Sequence, residues 1–209
     1  MNPTTAALIL AAGASRRLGR PKQLVPYGDG PLLAKVVASV RSWPVDLVVV
    51  VLGAHADEIL DAVEFGDAVV LLNEEWEEGM ASSLRVGLDF LTRHPHVEKA
   101  FVVLGDQPEI PTDVPHALLA AAEESDRPAL VPVYRWERGN PVLFRRRLWD
   151  RLMALEGDVG AAGLLKAHTD WVHEVRVDHR APGDLDTEDD VTDLTAGRGG
   201  RRPSPPAGG

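Results

Sequence analysis

Apolar residues in this chain fall into short continuous runs, separated by stretches in which they recur every three or four positions. Four runs, residues 6–10, 47–52, 68–72 and 101–104, are apolar and rich in β-branched side chains. Runs of that length without alternation predict strands buried on both faces, as in a parallel sheet. The intervening stretches predict helices over 32–40, 56–63 and 80–91, the last with Leu84, Leu88 and Leu91 on one face. Pro111 punctuates the start of another helix, over 113–124. Strand–helix alternation of this kind predicts the α/β class, with a Rossmann-like, doubly wound, mostly parallel sheet.

Past Ser125 the rhythm changes. Residues 129–133 and 141–144 predict short strands around a turn at Arg138-Gly139-Asn140. Helices are expected over 146–154 and 160–167. The alternating segment 171–177 has the pattern of a half-exposed edge strand. This half extends the same sheet, so residues 1–194 are expected to form a single domain. Residues 195–209, rich in Gly, Pro and Arg, are expected to be a disordered tail.

Composition narrows the class of function. The 209 residues suffice for one substantial core, and 44% hydrophobic content is ordinary for a globular protein. No apolar run approaches the roughly 18 residues of a membrane span, and residues 1–5 lack the pattern of a secretory signal. The chain has no cysteine, which excludes disulfides, thiolate metal sites and cysteine nucleophiles. A cytoplasmic location is the expectation. A formal net charge of −10 argues against a nucleic-acid partner.

Against that acidic background, residues after the first run stand out. Small residues, Ala11 to Ser15, lead into four cations within seven positions: Arg16, Arg17, Arg20 and Lys22. Small residues let backbone N–H groups approach phosphate oxygens, and cations neutralise them. Neither a P-loop nor a dinucleotide fingerprint fits the spacing of Gly13, Gly19 and Lys22. The seven histidines show no metal-site spacing, and no nucleophile elbow is present. Trp76, Trp136, Trp149 and Trp171 are read as packing residues.

Further along, Gly105-Asp106-Gln107-Pro108 places a carboxylate just past a predicted strand, where open α/β sheets bind ligands. Asp106 there could hold Mg²⁺, or the segment could be a plain turn. Gly79-Met80-Ala81-Ser82-Ser83-Leu84 opens a helix with small polar residues. Ser82 and Ser83 could contact a nucleotide or satisfy the first-turn N–H groups. Asn73 follows a strand and could reach a base edge or begin a turn. The acidic cluster from Asp184 to Asp190 could cap a helix through Thr187, or hold metal.

Leu10, Ala11, Ala12, Gly13, Ser15, Arg17, Gly19 and Lys22 match, in order, the signature Leu-Ala-Ala-Gly-x-Ser-x-Arg-x-Gly-x-x-Lys. By these residues the chain resembles the MobA-like nucleotidyltransferases, which include the molybdenum-cofactor cytidylyl- and guanylyltransferases. The fold this implies is that of nucleotide-diphospho-sugar transferases. The activity it implies is transfer of a nucleotide from a nucleoside triphosphate to a phosphorylated acceptor. Lys22 and Arg17 would be catalytic, and the matched loop would bind nucleotide together with Asn73, Ser82, Ser83 and Asp106. Asp106 and Asp186 would hold Mg²⁺, with Asp184 the competitor for the second place; Glu188 stands where the family has Pro.

Within the family the chain is most similar to the cytidylyltransferase of molybdopterin-type cofactor. This would make CTP and that cofactor the substrates, and a molybdoenzyme or its chaperone a partner. Guanylyl transfer, and transfer to a sugar or alcohol phosphate, are the alternatives. A non-catalytic nucleotide sensor or molybdoenzyme partner is the alternative of another class. The family's Gly-His-Pro and Gly-Asp-x-Gly-Ala-Arg segments, from the acceptor half, carry Asn140 for His and Ala162 for Arg here. Both departures remove groups that would handle an anionic acceptor.

Overall fold

The computed structural model describes residues 4–183. Within them the strands are β1 (Thr4–Ala11), β2 (Pro26–Tyr27), β3 (Gly30–Pro31), β4 (Leu47–Leu52), β5 (Val69–Leu72), β6 (Val97–Leu104), β7 (Ala129–Tyr134), β8 (Glu137–Arg138), β9 (Val142–Arg145) and β10 (Val172–Val177). The α-helices are α1 (Leu32–Arg41), α2 (Ala56–Ala62), α3 (Met80–Thr92), α4 (Asp113–Glu124), α5 (Trp149–Met153) and α6 (Ala161–Ala167).

The main sheet runs β10-β7-β9-β6-β1-β4-β5, with β8 paired to β7. β1 pairs in parallel with both β4 and β6, and β4 in parallel with β5. β9 is antiparallel to its neighbours β6 and β7, while β10 is parallel to β7. All strands of the seven-strand path except β9 therefore run in one direction. Two apolar layers sandwich the sheet, as the unbroken apolar strands require. Successive β1 residues alternate between them: Ala7, Ile9 and Ala11 pack in one layer, Ala6, Leu8 and Leu10 in the other. α1, α2 and α4 cover the first layer through Val36, Ile59 and Leu118, and α3, α5 and α6 the second through Leu88, Trp149 and Leu165. The doubly wound reading holds.

The chain winds one way from β1 through β4 to β5, then crosses back over α3 to β6. The order reverses between β1 and β6, and open α/β sheets bind ligands in the crevice at such a switch point. Two arginines, the last residue of β9 and the one after it, fix the flanking helices by their C-terminal carbonyls. Arg145 donates to the carbonyls of Ala122 and Ser125, at the end of α4. Arg146 donates to Thr92, His94 and Val97 (2.6–2.9 Å), at the end of α3.

Several local expectations are revised. The tight turn beyond β7 is at Arg135-Trp136, closing β7 on β8, rather than at Arg138-Gly139-Asn140. Residues 146–148 are a 3-10 turn ahead of the short α5. The β2–β3 hairpin has too few residues per strand to leave a periodic signal. Trp149 packs in the core as expected, but Trp136 is 92% exposed and Trp76 lines a cleft. Among the described residues no helix is long and apolar enough to cross a membrane. The expected tail at 195–209 lies outside the described residues.

Candidate active site

A cleft of about 310 Å³ opens at the switch point. Its floor is the end of β1, Leu10 to Ala12, beside Leu104, Gly105 and Asp106 at the end of β6. The two strand ends are tightly apposed. The Gly105 N–H donates to the Leu10 carbonyl (2.9 Å), and a Cβ on Gly105 would lie 2.8 Å from that of Ala11. Only glycine fits, and the close approach brings Asp106 over the β1 loop.

The loop from Gly13 to Lys22 folds on itself through Ser15. The Ser15 Oγ accepts the Lys22 backbone N–H (3.0 Å), and its carbonyl accepts those of Leu18 (2.9 Å) and Gly19 (3.2 Å). The signature's spacing thereby returns Lys22 to the cleft, where its ammonium pairs with the Asp106 carboxylate. The lysine side chain is 22% exposed and the aspartate 10%. At that depth a charge needs a partner, and each supplies the other's.

Gln23, 1% exposed, anchors the loop from below. Its Nε2 donates to the carbonyls of Ala11 (2.8 Å) and Gly13 (2.9 Å). Holding carbonyls from behind favours presentation of loop N–H groups to an anion in the cleft. Gln23→Leu should therefore raise the KM for the nucleoside triphosphate about tenfold, the scale of a lost buried hydrogen bond. It should change kcat less than about threefold. Steady-state kinetics separate the two parameters, and an unchanged KM would remove Gln23 from the loop's function.

The opposite wall is the start of α3, with Trp76, Glu77, Gly79, Met80 and Ser83. Its first N–H groups are taken from across the cleft. The Gly157 carbonyl accepts from Ala81 (3.1 Å), and Asp158 Oδ1 lies 3.4 Å from the Met80 nitrogen. Neither serine caps the helix. Asn73 Nδ2 donates to Ser82 Oγ (2.8 Å) and Ser83 Oγ (3.0 Å), and Asn73 Oδ1 accepts the Glu75 N–H (3.0 Å). The trio knits the wall together. Outside the cleft, Tyr27 of β2 donates to Glu109 (2.8 Å), which fastens the small hairpin to the loop after β6. Burial first, then that hydrogen bond and the Glu109 charge, push Tyr27 up to about 12, so it keeps its proton.

Of the residues expected to act, the cleft gathers Leu10, Ala11, Ala12, Gly13, Lys22, Ser83 and Asp106. Ser15 and Gly19 shape the loop behind it. Asn73 and Ser82 are buried in the wall. Arg17 is exposed on the loop outside the cleft lining, and its neighbour Arg16 lines the cleft instead, 3.9 Å from Glu77. Gln23, Trp76 and Asp158 also belong to the site and were not foreseen as such. For Asp158 the signal was present in the Gly-Asp-x-Gly segment. Asp184 and Asp186 lie outside the described residues. Among the described residues no three His, Asp or Glu side chains cluster as a self-sufficient metal site.

Residues 7–172 match the model of the MobA-like NTP transferase domain. Nicotine blue oxidoreductase of Paenarthrobacter nicotinovorans is 29% identical over 176 residues, 78% of this chain and 82% of that protein. A solved structure from Mycobacterium sp. strain JC1, the homologue of Mycobacterium tuberculosis Rv0371c, is 34% identical. It covers 95% of this chain and 98% of its own, with a TM-score of 0.85. Rv0371c from M. tuberculosis H37Rv, solved in complex with manganese, is 29% identical with a TM-score of 0.80, over 92% of this chain and 98% of its own. The chain belongs to the MobA-like NTP transferase family and is an enzyme of the nucleotidyltransferase class.

Proposed function

We propose that this is a cytoplasmic, Mg²⁺-dependent cytidylyltransferase that moves CMP from CTP to a phosphorylated acceptor of molybdopterin type, releasing pyrophosphate. The observation that carries the proposal is the Lys22–Asp106 pair, held in the switch-point cleft by the Ser15 loop and the Gly105 contact. An acceptor phosphate oxygen forms the new bond to the α-phosphorus. The bond to the α–β bridging oxygen breaks, and its electron pair leaves with pyrophosphate. The attacking oxygen is already ionised, so no general base is needed. Catalysis is then positioning and electrostatics.

Each side chain has a task in that reading. The Ser15 loop cradles the phosphates. Lys22 stabilises the charge that grows toward pyrophosphate, with Arg16 at the rim and Arg17 on the outer loop. Magnesium bound with a triphosphate needs only one or two protein carboxylates, the remaining places going to water and phosphate. The described residues suit that demand. Asp106 stands at the strand end and Asp158 lines the same cleft. Asp186 is retained as the second ligand, with Asp184 its competitor. When bound, the metal supplies charge neutralisation at the phosphates. The structure of Rv0371c with manganese supports a divalent ion at this fold.

Pyrophosphate release with CTP, GTP, ATP and UTP, each with molybdopterin and Mg²⁺, tests the reading. CTP should be turned over fastest, and a larger rate with GTP would replace cytidylyl by guanylyl transfer. CTP should also raise the melting temperature, following RT ln(1 + [L]/Kd). EDTA should abolish most of that shift, and Asp106→Asn should make the residual shift insensitive to EDTA. Equal CTP shifts with and without EDTA in the unaltered chain would remove the metal from the reading.

The likeness to nicotine blue oxidoreductase favours a second reading, because it spans 82% of that protein. There the cleft would take nicotine blue beside a separately bound electron donor, since a chain without cysteine has no thiol couple of its own. Oxidation of NADH or NADPH by nicotine blue, without pyrophosphate release from any triphosphate, would establish it.

A further inference from the structure

Two groups assigned to different ligands are engaged with each other in the ligand-free chain. The Lys22 ammonium, expected to meet phosphate, lies against the Asp106 carboxylate, expected to meet metal, and both side chains are largely buried. A dication approaching Asp106 therefore meets an ammonium at short range. Like charges repel strongly there, because a partly buried site screens them less than water does. Among the described residues no three His, Asp or Glu side chains gather to offset that repulsion. A polyphosphate approaching Lys22 meets the opposite difficulty, since the Asp106 carboxylate stands beside its target.

The supports of the pair show which part of it can move. The Lys22 backbone is tied to Ser15 Oγ (3.0 Å), and the strand end that carries Asp106 is tied to β1 by the Gly105 N–H on the Leu10 carbonyl (2.9 Å). Both backbones are thus held. The lysine stem is flexible, and its head is a point charge with no fixed bonding plane. The ammonium can turn from carboxylate to phosphate by side-chain rotation alone, within the cleft of about 310 Å³. When metal and polyphosphate arrive together, the partners exchange: ammonium to phosphate, carboxylate to metal. Every charge keeps an opposite neighbour. Either ligand alone leaves like charges face to face.

We infer that the Lys22–Asp106 pair is an autoinhibitory interlock, which disfavours a free divalent cation and a metal-free triphosphate and admits the two together. The identity of the anion rests on the nucleotidyl-transfer reading, whereas the resistance to free metal rests on the pair itself. By linkage, each ligand should tighten the other's binding by the same factor.

Mn²⁺ alone, titrated into the whole chain and followed by loss of its free EPR signal, is the first probe. Lys22→Met should bind it about tenfold or more tightly than the unaltered chain. Lys22→Arg keeps a cation for Asp106 and should stay within about threefold. Arg16→Gln removes another cation of the same cleft, one that lies 3.9 Å from Glu77, and should also stay within about threefold. That control separates a contact from the general field of the cleft. The gain should vanish when Lys22→Met is combined with Asp106→Asn, which locates the ion. CTP in EDTA, titrated calorimetrically, is the second probe. Asp106→Asn should bind it about tenfold more tightly than the unaltered chain, and this arm decides the matter if melting curves show Lys22→Met to be unfolded. Equal Mn²⁺ affinity in the unaltered chain and Lys22→Met would overturn the inference. So would an equal gain in Arg16→Gln, a gain that survives the loss of Asp106, or equal metal-free CTP affinity in Asp106→Asn. A metal gain in Lys22→Met beside no CTP binding to the unaltered chain, even with Mg²⁺, would condemn the transfer reading and leave the resistance to free metal standing.

Discussion

Lys22→Ala should lower kcat about 100- to 1000-fold while the chain remains folded. The ammonium is held in place before substrate arrives, by the Ser15 hydrogen bond to its backbone and by Asp106 at its tip. A preorganised charge aimed at a developing anion is worth about 2.7–4 kcal/mol, which is the stated range in rate. The substitution also takes the Lys22 charge away from the Asp106 carboxylate, whose side chain is only 10% exposed. That costs about 1–3 kcal/mol, or about 2–12 °C in melting temperature for a chain of this size. Lys22→Arg should restore the melting temperature more than the rate, because a planar, longer head can satisfy Asp106 without matching the ammonium's position. Single-turnover kinetics and calorimetry on both variants check this. Turnover of Lys22→Ala within about threefold of the unaltered chain would sink the catalytic assignment.

The same loop shows how far the sequence could be read. The position of Lys22 was legible because a fixed spacing from Gly13 and Ser15 corresponds to one closed loop, sealed by one hydrogen bond. The choice between Arg16 and Arg17 was not. The loop has no period, and the left-handed Ser15 (φ 53°) sets which neighbour points inward. Asn73 and Ser82 carry the polar groups expected of a nucleotide wall, yet they satisfy one another. No local pattern tells a hydrogen bond to a ligand from one between residues nine apart.

The core was easier to read. β1, β4 and β6 are apolar throughout because both faces are covered, and the runs reveal it. β9 is as apolar as its neighbours, so its sequence carries no sign of its reversed direction, which follows from the short return through β8. Trp136 was misjudged for a related reason. Composition makes a tryptophan a packing residue by default, and only the hairpin register lifts this one out of the core.

Gly79→Ala should be the most damaging small substitution in the cleft, at about 2–6 kcal/mol of stability. Two costs add. Gly79 sits at φ 102° and ψ −175°, a region essentially reserved for glycine, where a side chain costs about 1–3 kcal/mol. A Cβ there would also lie 2.5 Å from the Gly157 carbonyl carbon and 2.6 Å from Asp158 Oδ1. The first neighbour is backbone and cannot swing aside, so the loop of Gly157 and Asp158 must retreat, adding about 1–3 kcal/mol of overpacking. At about 2–4 °C per kcal/mol the melting temperature should fall by about 4–24 °C. The damage should also reach the site. The retreat would withdraw the Gly157 carbonyl from the Ala81 N–H and Asp158 from the start of α3, both of which shape the cleft wall. The KM for the triphosphate should accordingly rise, because Met80 and Ser83 of that wall line the same cleft as Lys22 and Asp106. Denaturation and steady-state kinetics on the one variant measure both effects. A loss below about 1 kcal/mol would mean that the glycine of this segment is dispensable to the close approach of α3 and the Gly157 loop.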